Sequence, residues 1–421
     1  MPIIGAMNLI LYAVPFFLLA ILLELVLGAR FGRNTYRFAD TINSLSLGML
    51  SRLRGFLFLG VGGAAWAAAA EATAVPRWPL DAAWAWIVAF VVYDLCYYWS
   101  HRLGHEVNLL WASHVAHHQS EEYNLSTALR QTSTGLLTFV FYLPMFLVGV
   151  PAEMVVTVGS LNLIYQFWVH TRHLPKLGPL EWVFVTPSNH RVHHAQNDRY
   201  LDRNYGGVFI VWDRIFGTWQ EELDEEPPVY GIRHALHSWN PLWANLHVYR
   251  DCLIDSLRTR YWRDKVGVWL RGPAWRPADL AAAEPRPAFS PATFERFEIQ
   301  LERPVRVYVL VQFLLALIAS LPLLVYAAAL PGAVAAALAA LAVAGFVAIG
   351  FWLEGRAVAL PFDLARLAGW AAMALWLASA GFLDATLAAG ATTAMAASAV
   401  AALWIGRGRR SAEGAAEPAT P

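Results

Sequence analysis

The sequence predicts an all-α fold: a polytopic membrane protein built as a helical bundle, with a histidine-rich cap and a C-terminal transmembrane extension. Of its 421 residues, 57% are hydrophobic and 15% are charged, a composition too apolar for a soluble protein of this length. The apolar residues form several runs of about 20, the length at which a helix crosses a bilayer. All thirteen histidines lie between His101 and His247, outside these runs.

Charge and cysteine content exclude several classes of protein. The formal net charge is zero and the chain has no long basic or acidic block, so we expect no nucleic-acid partner. The two cysteines, Cys96 and Cys252, can form neither a disulfide framework nor a thiolate zinc site. Any bound metal must therefore have nitrogen or oxygen ligands.

The first predicted domain, residues 1–80, contains N-terminal transmembrane helices. The run 5–27 has no basic segment before it and no convincing cleavage site after it, which predicts a retained first span rather than a signal peptide. The run 55–70 predicts a second span, and 80–99 predicts a third. Arginines crowd the first loop and are sparse in the next, so the positive-inside rule places the end of the third span in the cytoplasm.

The second predicted domain, residues 81–250, contains the histidines. Its two apolar stretches, 136–150 and 152–169, are each short for a full crossing. They predict a hairpin that enters and leaves the membrane on one side, which keeps the histidines before and after it on the same face. Residues 251–305 contain many proline and charged residues, and they are predicted to be a cytoplasmic linker.

The C-terminal transmembrane region, residues 306–407, is predicted from four runs rich in alanine, leucine and valine. Four crossings return the C-terminus to the cytoplasm, in agreement with the arginines at their expected cytoplasmic ends. No ionisable residue lies at mid-span, so these helices are interpreted as scaffold. Residues 408–421 are predicted to be a disordered tail. The four runs are 306–329, 332–353, 357–380 and 383–405.

Three short boxes concentrate the histidines: HRLGH at 101–105, HVAHH at 114–118 and HRVHH at 190–194. On a helix, spacings of three and four residues bring side chains to one face. Each box is therefore predicted to direct two or three imidazoles the same way. His170, which directly follows the 152–169 run, is a further candidate ligand, whereas His237 and His247 are interpreted as loop histidines.

The crowding itself predicts a metal site. Neighbouring imidazoles repel one another when protonated and, when buried and neutral, require polar partners. A metal ion removes both difficulties, and imidazole suits zinc, iron, copper and nickel. Eight or nine such ligands exceed the four of a structural zinc site, which predicts two ions in a dinuclear centre. The spacing leaves the metal open, although activation of dioxygen would require iron because zinc is redox-inert.

Four segments resemble the fatty acid hydroxylase and sterol desaturase superfamily of membrane di-iron oxygenases, most closely its alkylglycerol monooxygenase group. The resemblance covers roughly residues 85–240, and 81–250 is accordingly interpreted as a catalytic domain of this type. Asn189 departs from the group's pattern, in which a histidine commonly precedes the third box. The segments are YDLCYYWSHRLGHEVNLLWASHVAHHQSEEYNLSTALRQ at 93–131, YQFWVHT at 165–171, LGPLEWVFVTPSNHRVHH at 177–194 and DRNYGGVFIVWDRIFGTW at 202–219.

The resemblance implies a cytoplasmic di-metal catalytic cap that holds two irons. Glu106 would lie beside the metals, assist catalysis and bind a reduced pterin such as tetrahydrobiopterin; equally, it would orient a ligand imidazole. Tyr123 and Asn124 would line the cofactor or substrate pocket, with packing of the boxes as the alternative. Three aspartates are interpreted as orienting or capping residues, namely Asp198, Asp202 and Asp213. The implied iron ligands are His101, His105, His114, His117, His118, His170, His190, His193 and His194.

The implied activity is that of a membrane oxidoreductase. With O2 and a separate electron donor, it would hydroxylate the carbon next to the ether oxygen of an alkylglycerol, giving an aldehyde and a glycerol derivative. A sterol or fatty-acyl hydroxylase or desaturase with the same centre is the nearest alternative. A membrane zinc-binding or metal-carrier protein is another, although transporters usually place ligands near the bilayer midplane. We expect an integral protein of a bacterial inner membrane with its catalytic face in the cytoplasm.

Overall fold

The structure is a computed structural model, and it describes the backbone of residues 2–73, 75–135, 137–286, 288–326 and 330–416. Side chains are described in these ranges except at 2–8, 11, 54–63, 325–326 and 409–416. Regular structure in the described ranges is helical, apart from isolated antiparallel bridges between Phe184 and Phe209 and between Ala195 and Tyr230. The predicted all-α class is confirmed.

Long helices lie at both ends of the chain, and shorter ones lie between them. Short 3-10 helices also occur at Thr138–Tyr142, Gly178–Trp182 and Pro291–Thr293. The α-helices of the described ranges are α1 (Pro2–Arg30), α2 (Phe38–Glu71), α3 (Ala83–Glu106), α4 (Asn108–His118), α5 (Leu125–Ala128), α6 (Leu143–Leu147), α7 (Ala152–Trp168), α8 (Pro187–His193), α9 (Val211–Phe216), α10 (Pro241–Arg258), α11 (Trp262–Leu270), α12 (Ala278–Ala283), α13 (Arg303–Tyr326), α14 (Gly332–Leu353), α15 (Ala359–Ser379) and α16 (Ala385–Ala416).

The chain divides into two compact units. One comprises residues 1–236 together with 244–296, and the other comprises 237–243 together with 297–421. All nine predicted ligand histidines belong to the first unit. The second unit contains α13 to α16, the helices of the predicted C-terminal extension.

Among the described residues, four helical segments are long and apolar enough to cross a membrane, which supports the polytopic class. The other predicted crossings form helices α2, α3 and α15, which are not among these four. Buried ionisable residues lower the apolarity of α3, which contains Asp94, and of α15, which contains Asp363 and Arg366. Because Arg366 lies near the middle of the run 357–380, the expectation of no ionisable residue at mid-span is wrong for this helix. Part of the predicted second span, 55–63, lies outside the described side chains. The four segments are Tyr12–Arg30, Arg303–Leu324, Gly332–Leu353 and Ala385–Gly408.

Helices occur in the two segments that were predicted as a linker and as a tail. The segment 251–305, predicted as a linker, contains the end of α10 and all of α11 and α12. α11 is an integral part of the first unit because the Asn108 side chain donates a hydrogen bond to the Val268 carbonyl at 2.9 Å. The tail was expected to be disordered from residue 408, but α16 continues to Ala416, since alanine, arginine and glutamate favour helix. Residues 417–421 lie outside the described residues.

The two short apolar stretches of the second domain fold as separate pieces. A 3-10 helix and α6 form the first, α7 forms the second, and residue 136 lies outside the described residues. Gly149 lies between them with φ +91°, and a Cβ there would lie 2.4 Å from the Pro76 carbonyl oxygen. Only glycine tolerates this combination of positive φ and close approach. That the pair enters and leaves a membrane on one side stays a prediction.

An apolar core fixes the helices that carry the histidines. Ala85 of α3 packs in a cluster with Met145 of α6 and Met154 of α7. The Phe17 ring of α1 stacks on Phe167 of α7, with ring centroids 4.1 Å apart. α7 is therefore held by α1 and α3, which fixes the position of the segment after it.

A buried polar network joins the four helices of the second unit. The Arg366 guanidinium donates hydrogen bonds to Asp363 at 2.8 Å and to the Gln312 side chain at 2.8 Å. Asp363 also accepts from the Trp352 indole at 2.9 Å, and Gln312 donates to the Ser398 hydroxyl at 2.9 Å. Because these residues lie on α13, α14, α15 and α16, the network links every helix of the unit.

Candidate metal centre

Three helix segments and one helix end bring the histidines together. The first box forms the last turns of α3, which ends at Glu106. Val107 has extended backbone angles (φ −122°, ψ 118°), so α3 ends and the chain turns there. α4 follows directly and carries the second box in its C-terminal part. α8 carries the third box, and the Thr186 side chain caps its N-terminus. His170 lies two residues beyond the end of α7.

The nine predicted histidines form two clusters, and within each cluster one nitrogen per imidazole lies within 4.8 Å of all the others. Each box directs two imidazoles into one cluster, as predicted, and the second and third boxes each send their remaining histidine to the other cluster. In the second box, His117 faces a different cluster from His114 and His118, because neighbouring residues on a helix point about 100° apart. The first cluster is His101, His105, His114, His118 and His193; the second is His117, His170, His190 and His194.

Nitrogen distances in the first cluster match those of ligands around one ion. His114 Nε2 lies 3.1 Å from Nε2 of His101 and 3.1 Å from Nε2 of His118. A metal bound at about 2.0–2.1 Å from each imidazole nitrogen holds adjacent nitrogens roughly 3 Å apart. The Nε2 atoms of His105 and His193 are buried and have no hydrogen-bond partner among the described residues, which leaves both free to bind an ion.

The second cluster has the same spacing. His190 Nε2 lies 3.1 Å from Nε2 of His170 and 3.2 Å from Nε2 of His194, and His117 Nε2 lies 3.4 Å from Nε2 of His170. The clusters adjoin, since the His118 and His194 rings stack with centroids 4.3 Å apart. This arrangement fits two neighbouring ions rather than two separate sites.

Backbone carbonyls fix the orientation of several rings. His101 Nδ1 lies 2.8 Å from the Tyr205 carbonyl oxygen, and His193 Nδ1 lies 3.0 Å from that of Arg203. A carbonyl can only accept, so each Nδ1 carries the proton and each Nε2 presents a lone pair to the cluster. Outer hydrogen bonds of this kind are typical of metal-bound histidine.

The pair His117 and His170 is the strongest indication of a cation. Nδ1 of His117 donates to the Arg130 carbonyl at 2.8 Å, and Nδ1 of His170 donates to the Gln166 carbonyl at 2.8 Å. Both Nε2 atoms, 3.4 Å apart, are then acceptors that face each other without a proton between them. Such an arrangement of buried lone pairs is unfavourable unless a cation lies between them.

Protonation does not supply that cation. Burial lowers the pKa of His117 to about 4 and that of His170 below its ordinary value. Burial, with repulsion from neighbouring imidazoles, also lowers the pKa of His101 and His118. These groups are neutral at pH 7, the state in which histidine binds metals.

Two buried carboxylates hold the loop that contacts the first cluster. Asp213 accepts hydrogen bonds from the backbone N–H groups of Tyr205 at 2.7 Å and Gly206 at 2.8 Å. Asp94 accepts from the backbone N–H groups of Val208 at 2.8 Å and Phe209 at 3.0 Å. Burial raises the pKa of Asp213 to about 6, although its hydrogen bonds act in the opposite direction. Asp213 therefore has the orienting role that its sequence position suggested.

Glu106 lies at the edge of the site rather than between the clusters. Its carboxylate pairs with Arg102 at 2.9 Å, and its side chain is 38% exposed. It belongs to neither cluster. Asp202 is also half-exposed and lies 3.7 Å from His105 Nδ1. Glu106 thus lies where a cofactor could reach it from outside, and its predicted part in catalysis stays a prediction.

Tyr123 and Asn124 lie behind the second cluster. The Tyr123 ring stacks on the His170 ring with centroids 5.6 Å apart, and its hydroxyl donates to the Val169 carbonyl at 3.0 Å. The Asn124 side chain caps α5 through the Ser126 N–H and donates to the Thr35 carbonyl. The contacts of both residues support the packing alternative, and cofactor binding by either stays a prediction.

Tyr205 is a residue of the site that the sequence analysis did not single out. It is fully buried, and its ring centroid lies 5.4 Å from that of His105 and 6.0 Å from that of His101. Its hydroxyl has no hydrogen-bond partner among the described residues. The only sequence signal is its place in the DRNYGGVF segment, because no spacing relates it to the histidine boxes.

Comparisons with known proteins agree with this geometry. A family model described as fatty acid hydroxylase matches residues 86–218, the segment that contains all nine histidines. An alkylglycerol monooxygenase of Homo sapiens is 39% identical over 316 residues, which cover 72% of this chain and 68% of the relative. That of Danio rerio is 36% identical over 374 residues, 84% of this chain and 79% of the relative.

A more distant relative shares only the centre of the chain. An ornithine lipid hydroxylase of Rhizobium tropici is 29% identical over 150 residues, 34% of this chain and 43% of the relative. No solved structure matched. The strongest similarities therefore extend well beyond the segment that the family model covers.

Proposed function

Because this chain belongs to the alkylglycerol monooxygenases, within the fatty acid hydroxylase family, we propose that it cleaves the ether bond of alkylglycerols with O2. It is a monooxygenase oxidoreductase that acts on an ether lipid. The proposed products are a fatty aldehyde and a glycerol derivative. The observation that carries the proposal is the pair of facing lone pairs on His117 and His170, inside nine buried or half-buried imidazoles.

The proposed metal is iron, with two ions per chain. Five histidines of the first cluster would hold one ion and four of the second would hold the other. Bound iron supplies the redox chemistry that O2 activation needs, which zinc lacks. The orphaned Nε2 atoms of His105 and His193 support this assignment, because they otherwise lose hydrogen bonds on burial.

The proposed reaction balances as a monooxygenation. One oxygen atom of O2 enters the C–H bond next to the ether oxygen, and the other leaves as water with two electrons and two protons from a donor. The hemiacetal formed then breaks its C–O bond to release aldehyde and alcohol. The chain's own contribution is to bind the lipid, hold the target carbon in reach and exclude water from the buried centre.

The proposed electron donor is a reduced pterin such as tetrahydrobiopterin, which would itself be oxidised as it supplies the two electrons. Glu106 is the proposed contact for it, since its carboxylate lies near the first box and is partly exposed. A separate donor protein is the alternative partner. Dependence on pterin can be tested with Glu106→Gln, which should raise the pterin KM and leave the iron content unchanged.

The central experiment is an assay of purified protein with 1-O-hexadecylglycerol, O2 and a tetrahydropterin. We expect hexadecanal as the product and two irons per chain by elemental analysis. His117→Ala should remove iron from the second cluster and abolish turnover, while His234→Ala, outside both clusters, should preserve both. Zinc as the bound metal, with no activity after iron is supplied, would instead indicate the metal-carrier alternative.

The alternative lipid classes are tested in the same assay. A sterol or a free fatty acid replaces the alkylglycerol, and hydroxylated or desaturated product is measured by mass spectrometry. Turnover of these lipids without aldehyde release from the alkylglycerol would contradict ether cleavage and favour the alternative. If the alkylglycerol is the substrate, its turnover should exceed that of the sterol and of the fatty acid.

We also propose that the histidine clusters face the cytoplasm of a bacterial inner membrane. The arginine-rich segment from the end of α1 to the middle of α2 supports this orientation through the positive-inside rule. A reporter that is active only in the cytoplasm should be active when it is fused after residue 30. Periplasmic reporter activity at that position would contradict the orientation.

A further inference from the structure

An apolar cleft of about 670 Å³ lies between α1 and the end of α7, apart from the metal centre. Leu23 and Leu27 line one side, and Phe167 and Leu174 line the other. Its volume falls in the range of roughly 300–1,000 Å³ typical of small-molecule sites. Because α1 is a candidate membrane span, one wall of the cleft belongs to a helix that lipid chains can contact.

A second, polar pocket of about 300 Å³ adjoins the cleft. It is lined by Arg33, Asn34, Thr35, Arg172 and His173, and two of these residues, Arg33 and His173, also line the cleft. The two cavities therefore share a boundary. One molecule with an apolar chain and a polar end can occupy both.

The polar pocket contains buried polar atoms without a hydrogen-bond partner among the described residues. Thr35 is 7% exposed, and its hydroxyl is buried without a hydrogen-bond partner among the described residues. His173 Nε2 is also buried and unpartnered. Buried polar atoms are normally satisfied, so their state points to a ligand that accepts hydrogen bonds.

The arginines of the polar pocket indicate that its ligand is an anion. Arg33 is exposed, and Arg172 makes a long ion pair to Glu122 at 3.5 Å and lies over the Tyr230 ring, 5.9 Å from its centroid. Glu122 also pairs with Arg296 at 2.6 Å, so Arg172 can turn to an anion without leaving that carboxylate unpaired. Two guanidinium groups, a hydroxyl and an imidazole nitrogen suit the several oxygens of a phosphate.

Glu24 fixes the direction in which such a ligand lies. It lines the cleft, is 8% exposed, and accepts hydrogen bonds from the Leu125 N–H at 2.8 Å and the Thr171 hydroxyl. Its negative charge repels an anionic group from the interior of the cleft. The anionic end is thereby directed to Arg33, and the apolar chain to the cleft.

We propose that the two cavities form one binding site for a single-chain lipid with a phosphate headgroup. The phosphate lies against Arg33, Thr35, Arg172 and His173, and the chain lies between α1 and α7. The proposal goes beyond ether cleavage, because it concerns binding in a cavity that neither histidine cluster lines. It stands whichever metal the clusters hold.

The test is a titration of purified full-length protein in detergent micelles, without O2 or reductant so that no lipid is consumed. The probes are 1-O-hexadecylglycerol 3-phosphate, uncharged 1-O-hexadecylglycerol and inorganic phosphate. We expect the phosphate lipid to bind at least tenfold more tightly than the uncharged lipid. Inorganic phosphate should bind far more weakly than the phosphate lipid, because it leaves the cleft empty.

Variants separate the two ends of the site. Arg33→Ala and Arg172→Ala should each remove most of the preference for the phosphate lipid and leave binding of the uncharged lipid unchanged. Leu23→Trp, which fills the cleft, should weaken both lipids and not inorganic phosphate. Arg263→Ala, at an exposed position of α11, is the matched control and should change none of the affinities.

Two results would overturn the proposal. Equal affinity of the wild-type protein for charged and uncharged lipid would exclude a phosphate pocket. Affinity for inorganic phosphate as high as for the phosphate lipid would exclude the cleft. Thermal melting of each variant identifies loss of folding, and the comparison of the three probes on the wild-type protein does not depend on any variant.

Discussion

At the residue scale, the chemistry of the site depends on which nitrogen of each imidazole carries the proton. Carbonyl groups of Tyr205, Arg203 and Arg130 decide this for three histidines, and each group lies outside the helix that carries the box it contacts. His170 differs, since its acceptor is the Gln166 carbonyl four residues earlier. The lone pairs that face the clusters are therefore set mainly by tertiary contacts.

Asp213 provides a test at this scale. Asp213→Asn replaces a carboxylate that accepts from two backbone N–H groups by an amide with one accepting oxygen. The loop that offers the Tyr205 carbonyl to His101 should loosen, and we expect metal affinity of the first cluster to fall by about 10–100-fold. Metal titration of the apo protein measures this loss.

The matched control is Asp198→Asn. Asp198 is an exposed carboxylate that pairs with Arg233, and it does not contact the loop. It should leave metal affinity unchanged. Equal losses of metal affinity in both variants would show that removal of a negative charge, and not the hydrogen bonds of Asp213 to the loop, causes the effect.

At the element scale, breaks between helices matter as much as the helices. The extended residue Val107 separates α3 from α4 and sets the first two boxes against each other. Gly149 separates α6 from α7, which leads to His170. Any residue can adopt the extended angles of Val107, but the requirement at Gly149 is strict because its positive φ and close approach exclude a side chain.

Gly149→Ala tests the second break. The new Cβ would lie 2.4 Å from the Pro76 carbonyl oxygen at a φ of +91°, so strain and steric overlap add. We expect a loss of about 2–4 kcal/mol in the free energy of unfolding. Gly32→Ala is the control, because Gly32 also has positive φ (+66°) but open space around it, and it should lose only about 1–2 kcal/mol.

Denaturant unfolding in micelles measures both variants. A loss at position 149 no larger than that at position 32 would contradict the steric argument. It would mean that the Pro76 segment can move away at little cost.

The polar network of the second unit provides another test at this scale. Asp363→Ala removes the carboxylate partner of Arg366, which is only 6% exposed, and leaves a buried charge unpaired. We expect a loss of about 3–5 kcal/mol in stability. Arg356→Ala removes an exposed guanidinium whose ion pair to Glu354 is long, at 3.4 Å, while Glu354 keeps its backbone hydrogen bonds, so it should cost less than about 1 kcal/mol.

The measurement is the denaturant midpoint of the second unit's unfolding. A double variant, Asp363→Leu with Arg366→Met, should recover much of the lost stability because it removes both buried charges. If Asp363→Ala were as stable as Arg356→Ala, the network would not be the main link among these helices.

At the scale of the whole molecule, the chain separates a metal-binding unit from an apolar unit. The first contains both histidine clusters and the lipid cleft, and the second contains three of the four candidate spans. The segment 237–243 belongs to the second unit, where Glu354 accepts hydrogen bonds from the backbone N–H groups of Trp239 at 2.7 Å and Asn240 at 3.0 Å. The chain therefore leaves the first unit, returns to it and leaves again.

The clustered histidines should make stability depend on pH in one direction. His117 has a folded-state pKa of about 4, against about 6.5 in an unfolded chain. Between these values the unfolded chain binds a proton that the folded chain does not, so stability falls as pH falls, by up to about 1.4 kcal/mol per pH unit for this residue. Protonation of the histidine ligands also releases the metal as the pH falls.

Unfolding midpoints of metal-free protein at pH 7.5, 6.5 and 5.5 measure this dependence. His117→Asn should flatten the slope, while replacement of a histidine outside the clusters, His234→Gln, should change it less. A midpoint that rises as the pH falls would contradict the assignment of neutral, buried imidazoles.

Much of the site could be predicted from the sequence because its ligands are close in sequence and of one kind. The spacing of His101 to His105 and of His114 to His118 places both pairs on helix faces. His170 could be identified because it directly follows an apolar run and lies in the YQFWVHT segment that resembles the family. The exposed edge position of Glu106 could not be predicted, since it depends on how the helices pack. The same holds for the bond of Asn124 to the Thr35 carbonyl, whereas its capping of α5 through Ser126 is local.

The sequence by itself determined that the chain is helical, apolar and able to offer nine neutral imidazoles, because these properties follow from composition and from spacing along single helices. Tertiary structure decided that His117 lies in the cluster of His170, His190 and His194 rather than with the other histidines of its box. It also decided which carbonyl holds each ring and where a lipid cleft opens beside α1. These features join residues more than a hundred positions apart, and only the packing of separate helices brings such residues together.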